Sequence, residues 1–280
     1  MRKIITGAIC VTFLGLYSCK TKNDNQADTN VVLKNDEGAT KSASGEQKGK
    51  MNSAAETMAK VQVPVLCYHR IENGRNDEYT VSPQGFNAQL DALKDSGYQT
   101  VTGDELYDYL TYNKPLPPKP VMITFDDTRL EHATIAAPEL EKRGFKGMFF
   151  IMTISIGKKN YMSKEQIAGL ATNGHDVGLH TWDHHMVTKY TPEDWIKQVA
   201  EPQKLVSSIT GKPCDYFAYP FGINDHKSGE ELKKYFKLSF VLSTPRDSSN
   251  PLQFVRRMIV PYSYSPQGMM RVMHSTFSRG

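Results

Sequence analysis

Short apolar runs alternate with helical periodicity from about residue 61 onward. VPVLCYH (63–69), VMITF (121–125), GMFFIM (147–152), DVGL (176–179), YFAY (216–219) and LSFVL (238–242) read as buried strands. Between the first two, SPQGFNAQLDALKDSG (82–97) offers Ser82 as N-cap, Pro83 at the first helical position, Phe86, Leu90 and Leu93 on one face, and Gly97 as a stop. Ser163 with Gln166 has the spacing of a capping box, and Thr191-Pro192 opens another helix. Repeated strand then helix implies parallel strands, closed as a barrel or laid out as a doubly wound sheet. No GxGxxG or GxxxxGK follows any of these strands, which argues against nucleotide binding.

The pattern ahead of residue 61 is different. Arg2 and Lys3 precede an apolar stretch from Ile4 to Leu16 that is too short for a comfortable membrane span and reads as an export signal over residues 1–18. The LYSC ending is similar to a bacterial lipobox, which makes Cys19 the expected lipidated residue and membrane anchor, facing the periplasm or the outside. From Lys20 to about Lys60 there is no aromatic residue, and Asn, Asp, Lys, Ser, Thr, Ala and Gly dominate. Such a composition cannot offset the entropy of ordering, so residues 19–60 read as a lipidated, disordered tether with a reach on the order of 35 Å. The folded domain is expected over 61–280.

Length, charge and cysteines narrow the partners. A chain of 280 residues holds one large domain or two small ones. Its 34 basic and 30 acidic residues give +4, and loss of Arg2 and Lys3 lowers this to +2, so nucleic acid is not an expected partner. With Cys10 in the signal and Cys19 lipidated, Cys67 and Cys214 remain; a disulfide between them is permitted, although each lies by a predicted strand where a free cysteine behaves as a small apolar residue.

TFDDT (124–128) sets two like charges at the end of the second strand, an arrangement that calls for a nearby cation. HTWDHH (180–185) follows another strand. If a helical turn forms there, His180 and His184 share one face, with His185 leaving the register open. Two such histidines and a carboxylate from another strand match the ligand set of an open catalytic zinc site. In a barrel, the C-terminal strand ends carry the site, and Asp126, Asp127, His180 and YPFG (219–222) all fall there.

TFDD, HTWDH and FAYPFG (217–222) together resemble the first three motifs of the NodB-type polysaccharide deacetylases, carbohydrate esterase family 4. VPVLCYHRI and VSPQGFNAQLDALKDSGY look like the branch that includes poly-N-acetylglucosamine deacetylases. The resemblance implies a distorted TIM-like (β/α) barrel of about seven strands that removes N-acetyl groups from a polysaccharide as a monomer. It implies a divalent metal, zinc by expectation, on Asp127, His180 and His184, with Asp126 as the base and the backbone N–H of Phe221 holding the oxyanion. Where many members carry an arginine in the third motif, this chain has Ala218, and Arg257, beside Arg256, is the candidate to orient the base. The one late histidine, His274, is the candidate acid, although its methionine-rich helix reads more simply as core. His69, Trp182, Tyr219 and Pro220 are candidate substrate contacts, and Trp195 reads as core. Two other functions stay open: removal of O-acetyl groups from xylan or a related polymer, and carbohydrate binding without catalysis.

Overall fold

Alternation along the strands builds the interior. The computed structural model describes residues 49–242 and 246–278, so the signal segment, Cys19 and the tether up to residue 48 lie outside the described residues. There are ten strands among the described residues: β1 Val65–Tyr68, β2 Arg70–Ile71, β3 Thr80–Val81, β4 Gln99–Thr100, β5 Pro120–Phe125, β6 Met148–Ile151, β7 Asp176–Leu179, β8 Tyr216–Ala218, β9 Leu238–Leu242 and β10 Val255–Ile259. Seven of them, β1 and β5 to β10, close into a ring because β1 pairs in parallel with both β5 and β10. This is the seven-stranded (β/α) barrel, and it excludes the doubly wound alternative. Strand β4 adds to β5 outside the ring, and β2 with β3 makes a separate two-stranded ribbon.

Successive residues of each strand face opposite sides. Inside lie Val65, Met122, Met148, Phe150, Tyr216, Leu238 and Phe240, while Leu66, Ile123, Phe125, Phe149 and Leu179 pack outward beneath the helices. The same period of two points Cys67, Thr124, Asp126, His180 and Arg257 into the barrel toward its C-terminal mouth. Helix Gly103–Tyr112 closes the opposite end with Leu106 and Leu110, and Asp176 accepts a 2.7 Å bond from the first amide of that helix.

The expected helix starts are present. Ser82 accepts from Gly85 N, Ser163 and Gln166 form a full capping box, and Thr191 caps the turn that begins at Pro192. One expectation needs correction and one open question is answered. The tether does not run to residue 60: Ala54–Met58 form a capped helix, the side chains of Asn52 and Thr57 donate to Leu110 O, and Arg246 donates to Thr57 O and Met58 O. This segment has the polar composition of a tether but is held by hydrogen bonds rather than by apolar burial. Cys67 and Cys214 are both free and buried, so no disulfide joins them.

Candidate active site

Asp126 and Asp127 are adjacent in sequence but face different partners, because Asp127 and Thr128 both adopt positive φ, 78° and 62°. Neither is glycine, so each carries roughly 1–3 kcal/mol of backbone strain. Thr128 holds the turn, accepting from Met152 N at 2.6 Å and donating to Met152 O at 3.3 Å. Asp126 continues the inward face of β5 and is buried, while Asp127 is half-buried at the mouth.

Arg257 supplies the cation that paired aspartates demand. Its Nη1 and Nη2 donate to Asp126 Oδ1 at 2.7 Å and Oδ2 at 2.9 Å, and Nη1 reaches Thr124 Oγ1 at 3.2 Å. The pairing follows from closure of the barrel: β10 and β5 flank β1 on its two sides, so Arg257 reaches across 131 residues of sequence to the carboxylate. Burial by itself would raise Asp126, but the Arg257 guanidinium, followed by His180, outweighs it and holds the carboxyl well below the usual carboxylate range. Arg256 pairs outward-facing with Val241 in the register and takes no part.

The second motif is not helical. His180 directly follows β7, and Thr181 and His184 have φ of 65° and 69°; the Thr181 hydroxyl accepts from His184 N at 2.9 Å and folds the loop back. The outcome is a tight pair, His180 Nε2 to His184 Nε2 at 3.0 Å, with Asp127 Oδ1 3.6 Å and 3.8 Å from them. His180 Nδ1 donates to Ala218 O at 2.8 Å, which leaves the Nε2 lone pair free for a cation. Burial, then the His180 ring, pushes His184 down to about 4, which leaves its imidazole lone pair available to a cation near neutral pH. Two imidazoles and a carboxylate oxygen, mutually within 4.8 Å, fit a divalent cation. His185 settles the register: it lies outside this group, exposed and stacked on Tyr190.

The third motif supplies the floor beside them. Phe221 is 58% exposed at φ 59°, its ring 4.3 Å from that of His184. The amides of Gly222 and Ile223 close the turn on Tyr219 O and Pro220 O, and that of Phe221 takes no part in those two bonds. A Cβ on Gly222 would come within 2.6 Å of Leu242, which explains the glycine.

A cavity of about 320 Å³ opens above this group, lined by Asp126, Asp127, His180, His184 and Phe221, with His69, Arg70, Arg75, Asp77, Tyr79 and Leu242 completing the wall. His69 stands 3.8 Å from Asp126 Oδ2 and edge-on to Tyr79, which is 43% exposed. Tyr79, the arginines of the β2–β3 ribbon and Leu242 carry no motif, so nothing in the sequence pattern singles them out. Nor does Gln198, whose amide accepts from Trp182 N and Asp183 N and steadies the histidine loop.

Several expected residues stand elsewhere. His274 is exposed on the helix Pro266–Phe277 with its Nε2 3.4 Å from Tyr98 OH, outside the cavity, so it cannot protonate a leaving group there. Met269 and Met273 of that helix are core. Trp182 lies under Lys197 Nζ at 4.2 Å, off the cavity wall. Tyr219 is buried and stacked on Phe254, and Pro220 is buried at the turn; neither lines the cavity. Trp195 packs against the core between Tyr190 and Tyr235, as expected.

Known proteins are similar to this chain. A family model described as polysaccharide deacetylase matches residues 113–236, the span that carries all three motifs. YxkH of Bacillus subtilis is 34% identical over 161 residues, 58% of this chain and 57% of that one. The poly-beta-1,6-N-acetyl-D-glucosamine N-deacetylase of Staphylococcus epidermidis is 27% identical over 179 residues, 59% of this chain and 62% of that one. The chain therefore spans less than two thirds of the length of these curated relatives. The solved structure of IcaB from Ammonifex degensii superposes with a TM-score of 0.64 at 30% identity, over 78% of this chain and 97% of that one. With its barrel, its motif residues and these relatives in agreement, the chain belongs to the polysaccharide deacetylase family.

Proposed function

We propose that the domain is a metal-dependent hydrolase that removes N-acetyl groups from an envelope or extracellular polysaccharide of the poly-N-acetylglucosamine kind, releasing acetate. The observation that carries this reading is the pairing of two carboxylates with separate tasks: Asp126 locked by Arg257, and Asp127 grouped with His180 and His184 at one open cavity. The substrate class is supported by the name of the Staphylococcus epidermidis relative.

Asp127, His180 and His184 would hold the cation, with zinc as the expected ion, and when bound it supplies Lewis acidity toward the acetyl carbonyl and water. Asp126 takes the proton of the attacking water, its two oxygens fixed by the Arg257 fork. That fork also lowers its proton affinity, so the proton is held only briefly. In this reading the Phe221 N–H bonds the oxyanion as the carbonyl becomes tetrahedral. His69, on the cavity wall 3.8 Å from Asp126, takes the acid role expected of His274 and passes the proton that Asp126 gained from water to the departing sugar nitrogen. Amide and water become acetate and a sugar ammonium.

In the same reading the site belongs to a single chain and works as a monomer, anchored to the envelope through lipid on Cys19. A Cys19→Ser chain that still incorporated labelled fatty acid would contradict the anchor. The test of the activity is acetate release from N-acetylglucosamine oligomers by the protein as purified, after chelation, and after zinc is restored, with O-acetylated xylan oligomers in parallel. Release that vanishes with chelator and returns with zinc supports the reading. Release from the ester alone would make the domain an esterase, and sugar binding without release would make it a binding module.

A further inference from the structure

Beneath the cavity, a second group of ligand atoms takes no part in holding the first cation. Cys67 is fully buried on the inward face of β1, its Sγ 3.7 Å from Asp126 Oδ2 and 3.9 Å from His69 Nδ1. His69 Nε2 is 3.8 Å from the same carboxylate oxygen. One ligand atom from each of the three lies within 4.8 Å of the others, and two of the three residues open on the cavity. Thiolate, imidazole and carboxylate together form the mixed sulfur, nitrogen and oxygen set that borderline and soft cations select and that magnesium and calcium do not.

We propose that Cys67, His69 and Asp126 form a second, inhibitory site for a thiophilic divalent cation of the zinc or cadmium class. On binding, the Cys67 S–H bond breaks, its proton leaves to solvent, and a sulfur–metal bond takes its place; nothing is oxidised or reduced. Asp126 accommodates both partners, since a carboxylate offers about four lone-pair directions and Arg257 occupies two. The Arg257 charge, fully buried beside the group, disfavours a cation there relative to the Asp127 site. The second site therefore fills after the first, and only at excess metal. Its occupation removes the proposed base and the proposed acid together, so the inhibitory half of the proposal rests on the deacetylase reading, while binding itself does not.

The test is a cadmium titration of the full chain, freed of metal, followed by the ultraviolet sulfur-to-cadmium charge-transfer band. The first equivalent, bound through histidines and Asp127, is silent in that band; the band should rise with the second. Cys67→Ser should lose the band yet keep the first equivalent, and Asp127→Asn should lose the first equivalent yet keep the band. In acetate release, excess zinc should inhibit the natural chain and spare Cys67→Ser, with His69→Gln as a second variant for the binding readout. A natural chain without the band, or a Cys67→Ser chain with the same band, would overturn the site. Loss of the band with zinc inhibition unchanged would overturn its inhibitory role. A chain that binds in this way but releases no acetate from any polymer would instead count against the deacetylase reading alone.

Discussion

Arg257 and Asp126 interact as a buried bidentate ion pair, and the energetics of such pairs are lopsided. Removing one partner strands the other, so Arg257→Ala should cost about 3–5 kcal/mol of stability in denaturant unfolding and abolish turnover. Arg257→Lys keeps a charge without the fork and should retain stability better than activity, with the acid limb of the activity profile moved upward because Asp126 is less strongly held. The two aspartates should separate cleanly. Asp126→Asn is expected to bind metal normally and to lose at least about 10²-fold in kcat, whereas Asp127→Asn should lose the metal itself, by direct metal analysis. The doublet itself was legible in TFDD, and HTWDH marked both histidines, because motif residues adjacent in the chain stay adjacent in space. The choice between His69 and His274 was not: both are equally plain in the sequence, and only closure of the barrel puts one beside Asp126 and the other on an outer helix face.

Elements decide how much of this geometry persists. Helix Gly103–Tyr112 seats its first residue so tightly that an added Cβ would fall 2.4 Å from the Tyr216 ring and 2.7 Å from Met148. Gly103→Ala should therefore lift the helix from the barrel floor and cost about 1–3 kcal/mol, measured by chemical denaturation. The N-terminal segment offers a second check. A chain beginning at residue 61 loses the bonds of Asn52 and Thr57 to Leu110 O and the two carbonyls that Arg246 engages. It should melt below a chain beginning at residue 49, by about 2–4 °C for each kcal/mol lost. Strands and helix caps were readable from periodicity and from Ser, Thr and Pro placement. This segment was not, since its stabilising contacts are hydrogen bonds to a helix fifty residues away.

Across the whole molecule, buried histidines couple folding to pH. His175 accepts from Gly147 N through Nδ1 and donates through Nε2 to Glu141, and His132 donates through Nε2 to His69 O, so both are held neutral. Burial lowers both below the ordinary histidine value. The unfolded chain takes up these protons near pH 6.5, so their contribution is complete above that value and is lost as the pH falls through it toward the lower folded values. Asp176 opposes them: burial pushes it up to about 6, and its contribution is lost as the pH rises from its unfolded value through 6. In the metal-free protein, Asp176→Asn should therefore steepen the loss of melting temperature between pH 7 and 5, and His175→Gln should flatten it. Opposite slopes in these two variants would contradict the assignments.

What the sequence by itself determined is local: alternation of strand and helix, the caps, the paired aspartates, the histidines four apart, and the glycine of the third motif. Each of these depends on residues within about one turn or one strand of each other, where backbone geometry leaves few arrangements. Closure into seven strands was implied by the family resemblance, and Arg257 and His69 were candidates; the contacts that closure makes between them were decided by the tertiary structure. Arg257 reaches Asp126 across β1, His69 replaces His274 beside the carboxylate, and Cys67 is brought beneath both. The physical reason is that a closed barrel turns sequence-distant strands into neighbours. Inward side chains then meet in layers set by register, which no spacing along the chain encodes.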